Sequence, residues 1–242
     1  MGEKFASISN RIHWSLALRS AVFGAAWYAL SFPFFALVGI FLYCVPLFEP
    51  RRFLVPFLML LFLAAVTPPF ALFAFFFACA LYLIVGMKDL ILVKRAVAYE
   101  GLMLLLFLGL GFFFFSHFEA GISPAALFAA AVGMAAVSLL LSGFLSYEEH
   151  EEHPAAGRST PFEELVASLL VGLALGECAL ALLLLPMNPL LRTGVFFLAA
   201  IVAAESVAEQ SAGKLTRARI FGYCALLFAL TVVMLSANQW GM

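Results

Sequence analysis

Two long apolar stretches, each broken once by proline, constrain this chain more than any other feature. The first runs from His13 to Phe48 and is interrupted at Ser31-Phe32-Pro33. The second runs from Phe53 to Gly86 and is interrupted at Thr67-Pro68-Pro69. A continuous helix of about 35 residues would be about 50 Å long, against a bilayer hydrocarbon core of about 30 Å. Proline removes a backbone donor and clashes with the preceding turn, so it ends a helix. Each stretch therefore reads as a helical hairpin with a proline tip. The legs Phe34 to Phe48 and Phe53 to Val66 are short for a span and require local bilayer thinning, re-entry or shielding by neighbours.

Five simpler apolar stretches follow: Val97 to His117, Pro124 to Ser146, Phe162 to Leu185, Pro189 to Ala208 and Arg219 to Asn238. Only 11% of the residues are charged and 65% are hydrophobic, where a soluble domain carries roughly 25% charged residues. A water-soluble fold would expose large apolar patches. Membrane barrels alternate apolar and polar residues along each strand, and runs such as Leu102 to Phe115 do not. The sequence thus predicts an all-α, polytopic membrane protein of about nine spans, with seven as the alternative. Residues 1–242 form a single integral membrane domain, with 147–161 a cytoplasmic acidic loop.

Basic residues flanking spans tend to stay in the cytoplasm. With the N-terminus inside and nine spans, Arg192 alone among the 13 Lys and Arg falls outside. Seven spans move Arg51 and Arg52 outside as well. Tyr and Trp favour the interfaces, and nine spans place Trp27, Tyr28 and Trp240 near outer ends. Lys4, Arg11 and Arg19 are spread too far for a signal-peptide basic region, so the first apolar run reads as a retained anchor. The expected location is the cytoplasmic membrane of a prokaryote, with the C-terminus outside.

Glu177 is the leading site candidate, because it lies well inside the seventh span. Translocon scales charge about 2.5–3.5 kcal/mol for an ionised group at a helix centre. Intramembrane carboxyls often mark proton or ion pathways, and a neutral acid bonded to a neighbouring helix is the competing reading. Ser168, Gly172 and Gly176 recur every four residues as a small-residue packing stripe. Ala200, Ala204 and Ala208 repeat the pattern on the eighth span, so pairing of these two spans with Glu177 beside the seam is expected. Glu205 and Glu209 precede Lys214, Arg217 and Arg219, and read as an interfacial ion-pair cluster or a cytoplasmic gate.

The acidic loop holds His150 and His153 among four glutamates, a weak metal candidate. Zincin histidines stand four apart on one helix face, whereas these stand three apart. The segment Pro161-Phe162-Glu163-Glu164-Leu165 resembles, over a few residues, the paired-glutamate motif of membrane-embedded CAAX-type proteases. Ser168 stands where that motif has arginine, and no histidine follows His153, so its catalytic pattern is not met. Asp89 is the sole aspartate, which excludes a two-aspartate protease within this chain. Cys44, Cys79, Cys178 and Cys224 sit singly in apolar runs and behave as small hydrophobes. No cofactor is implied.

With a net charge of -1, nothing points to nucleic acid. The expected partners are the lipid bilayer and either another membrane protein or a second copy. Two functional readings stand. One is a small transporter or channel-like protein in which Glu177 takes up and releases a proton. The other is a non-catalytic membrane subunit or scaffold.

Overall fold

The structure is a computed structural model that describes residues 13–45, 53–89, 95–118, 123–152, 161–211 and 215–239. Among them the secondary structure is entirely helical. The elements are α1 Trp14–Ala29, α2 Phe32–Cys44, α3 Leu54–Val66, α4 Ala71–Lys88, α5 Arg95–His117, α6 Pro124–Glu152, α7 Pro161–Leu183, α8 Pro189–Ser211 and α9 Arg217–Gln239.

Local chemistry sets the breaks. Leu30 and Ser31 are extended between α1 and α2, and Thr67 and Phe70 are extended between α3 and α4. Both proline-bearing stretches therefore divide into two helices where the sequence places the tips. Pro33 occupies the first turn of α2, and α6, α7 and α8 all begin on proline, whose missing N–H costs nothing there. Side-chain caps reinforce two of these starts. Ser123 Oγ accepts from Ala126 N at 3.1 Å, and Asn188 Oδ1 accepts from Leu191 N at 2.8 Å.

Helices α4 to α8 are long and apolar enough to cross a membrane. At 13 residues each, α2 and α3 reach only about 20 Å at 1.5 Å per residue. Helix α6 is 29 residues long. Its apolar part ends at Leu145, and the helix continues through Tyr147–Glu152, where the sequence reading starts a loop. Glutamate is a strong helix former, so the acidic tail extends the helix. The rest of that loop, with His153, lies outside the described residues.

The chain divides into two compact units, Met1–Leu105 and Leu106–Met242. In the first unit α1 packs chiefly on α4 and also on α2, and α3 packs on α4. The α1–α4 crossing is close: a Cβ on Gly24 would lie 2.6 Å from the Ala74 carbonyl oxygen. Aromatic side chains fill the core. Tyr43 stacks on Phe57 with ring centroids 4.2 Å apart, and Phe23 meets Phe35 at 4.9 Å.

Trp27 belongs to this core. It is 6% exposed and meets Phe77 edge-on. Its indole N–H donates to the Ala64 carbonyl at 2.7 Å, so the ring needs no interfacial water to satisfy its polar atom. The exposed Tyr28 beside it is free to meet an interface.

In the second unit α7 packs most extensively on α6, then on α8, and α9 packs on α8. Large apolar side chains stand exposed on both units, Phe75 in the first and Phe128, Phe221 and Leu190 in the second, each at least 70% exposed.

Candidate functional site

Helix α7 has two distinct faces. Ser168, Gly172, Leu175, Gly176 and Ala179 are buried. On the opposite side, at helical spacing, Val166, Leu170, Leu173, Glu177 and Leu184 are exposed. Between Val166 and Leu184, Glu177 is therefore the single charged side chain on this face. It sits about 9 Å along the axis from the helix end at Leu183 and about 24 Å from its start at Pro161.

The small-residue stripe is used, against a different partner from the one expected. A Cβ on Gly172 would lie 2.8 Å from the Met134 carbonyl oxygen and collide with Ser138 Oγ, both on α6. One on Gly176 would overlap the Met134 side chain. Ser168 is fully buried and donates its hydroxyl to the Leu165 carbonyl at 2.9 Å. The stripe thus seats α7 on α6 rather than on α8. Ala200 and Ala204 of α8 are buried too, while the atoms nearest a Cβ on Gly172 or Gly176 all belong to α6. Glu177 points away from this seam.

Near the opposite end of the unit, Glu209 pairs with Arg219, tying α9 to α8. Glu205, one turn earlier, is half-buried. Beside them an open cleft of about 580 Å³ lies between the start of α7 and the end of α8. Glu163, Glu164, Ser206 and Gln210 supply its polar groups over a wall that includes Val171 and Ala203.

His150 falls on α6. Among the described residues, no three His, Cys, Asp or Glu side chains gather as a metal site; a test of the His150–His153 pair needs residues outside them.

Sequence reasoning missed one cluster in the first unit. Lys88, read only as a cytoplasmic boundary charge, is completely buried. Its ammonium donates to the Tyr43 carbonyl, lies 5.0 Å from the Tyr43 ring centre, and is 3.8 Å from Asp89 Oδ1. Arg19 Nη1 donates to the Val45 carbonyl at 3.3 Å and approaches Asp89 Oδ2 at 3.5 Å. The last carbonyls of a helix lack intrahelical donors and carry the negative end of its dipole. Two cations, bridged by the one aspartate, close that end of α2. Burial pushes the Asp89 carboxyl above the usual carboxylate range, while the Lys88 and Arg19 charges pull the other way. A Lys-Asp pair closing a helix, with an arginine elsewhere in the chain, was the available sequence signal.

Among the described residues the structure is all helical, and its five helices of this length and hydropathy are consistent with a helical membrane protein. No protein-family model matches the sequence, and neither a curated protein nor a solved structure is significantly similar to it.

Proposed function

We propose that the chain is a non-catalytic subunit of a membrane-protein assembly, held against a partner by the exposed face of α7. The observation that carries this reading is the place of Glu177. Ionisable side chains within a membrane span almost always face a bundle interior or a water-filled cavity. Glu177 is exposed amid leucines, and a glutamate side chain is too short to reach water across about 9 Å. Exposure in the isolated chain then means that the interior it faces is completed by another helix. Solubilised from its own membrane in mild detergent, the chain is expected in a complex of fixed stoichiometry. Recovery as a monomer removes the proposal.

A second reading keeps the chain as a small transporter in which Glu177 exchanges a proton. The cleft between α7 and α8 favours it, as a largely apolar recess that carries Glu163 and Glu164 on the helix that also bears the intramembrane carboxyl. Its test is pH-dependent flux in proteoliposomes, and flux unchanged by Glu177→Gln excludes it.

In either case we place all nine described helices across the cytoplasmic membrane of a prokaryote, with the N-terminus inside and the C-terminus outside. This topology keeps the basic joints on one side. A reporter fused at Arg51 is expected to read as cytoplasmic. An external signal there selects the seven-span alternative.

A further inference from the structure

We infer that the helix covering Glu177 belongs to a different protein and carries a lysine or arginine at the same depth in the bilayer; this rests on the subunit reading above. The chemistry of the face sets the requirement. An ionised carboxylate removed from water needs an opposite charge and hydrogen-bond donors, and Leu170, Leu173 and Leu184 around it offer only apolar packing.

A second copy of this chain cannot meet that requirement. Of its 13 Lys and Arg, those in the described helices, Arg19, Lys88, Arg95, Arg192, Arg217 and Arg219, all lie within two turns of a helix end, and in the sequence the others fall in the polar stretches between the apolar runs. The one nearest the depth of Glu177 is Arg192, at the start of α8. That side chain is 4% exposed and turned inward, with Nη2 donating to the Leu185 carbonyl at 2.8 Å. His117 ends α5 with Nδ1 2.9 Å from the Phe113 carbonyl of its own helix. Two copies meeting through this face would set Glu177 against Glu177, and like charges at such range repel. The positive charge therefore comes from another chain. The apolar flanks supply packing area, and the carboxylate selects the partner and fixes its register.

The test uses the full-length chain in its native membrane, with a photo-crosslinking residue in place of Leu173, one turn from Glu177 on the same face. The crosslinked peptide is sequenced. The expected adduct is a membrane-spanning segment of another protein containing Lys or Arg, and Glu177→Gln is expected to cut its yield about tenfold or more. Glu177→Lys, combined with Glu in place of the partner's basic residue, is expected to restore it. An adduct with α7 of a second copy overturns the inference, as does a partner segment with no basic residue. A partner adduct equally abundant in wild type, Glu177→Gln and Glu177→Leu also overturns it, while leaving the subunit reading in place. Lipid adducts alone, on a monomeric chain, remove both. Retention of each variant in alkali-washed membranes separates loss of contact from loss of fold.

Discussion

Replacing Lys88 with methionine is expected to destabilise the first unit by about 3–5 kcal/mol, the range for removing one partner of a buried ionic group. Methionine fills a similar volume, so packing is nearly conserved and the electrostatic change dominates. The Tyr43 carbonyl loses the Lys88 ammonium, and Asp89, whose side chain is 7% exposed, is left among the described ion pairs with the Arg19 contact at 3.5 Å. The end of α2 then loses one of the two cations that close it, beside an under-compensated carboxylate. The thermal midpoint in detergent should fall by roughly 6–20 °C at the usual conversion for a chain of this size. Adding Asp89→Asn is expected to recover part of the loss, because it removes the stranded charge and leaves Arg19, 38% exposed, to be solvated. A midpoint unchanged by Lys88→Met would show that the cluster does not hold α2.

The second large effect is at the α6–α7 seam. Gly172→Leu places a side chain where the Met134 backbone carbonyl and Ser138 already stand. Backbone cannot rotate aside as a flexible side chain can, so the two helices must separate. Overpacking of this kind costs about 1–3 kcal/mol and sometimes more. Gly133→Leu is the matched control on α6, since a Cβ there meets nothing within 4 Å. The expected result is a lower midpoint for Gly172→Leu and a midpoint close to wild type for Gly133→Leu. Equal midpoints would mean that the stripe does not set the approach of the helices.

The helices were legible in the sequence because their limits are local. Proline at Ser31-Phe32-Pro33 and Thr67-Pro68-Pro69 acts on its own neighbours, and those breaks appear at the expected residues. Facing is a different kind of information. The Ser168, Gly172 and Gly176 spacing announces a close approach without saying to which helix, and α6 rather than α8 answers it. The depth of Glu177 follows from counting residues, whereas its exposure depends on how α6 and α8 divide the rest of the α7 surface.

Lys88 and Trp27 show what a linear reading cannot reach. Lys88 is 45 positions from the carbonyl it binds, and Trp27 is 37 from its own. Each looks interfacial by type and becomes internal only because a distant backbone oxygen meets its polar atom. The acidic tail of α6 went unread as helix because its composition suggests solvent. Solvated glutamates support a helix as readily as a loop.

The most direct test of the whole account is extraction of native membranes with alkaline carbonate, followed by detergent. Helices with a mean hydropathy as high as that of this chain, +1.10, are predicted to stay in the pelleted bilayer and to enter solution only with detergent. A chain released by carbonate and monodisperse in plain buffer would contradict it.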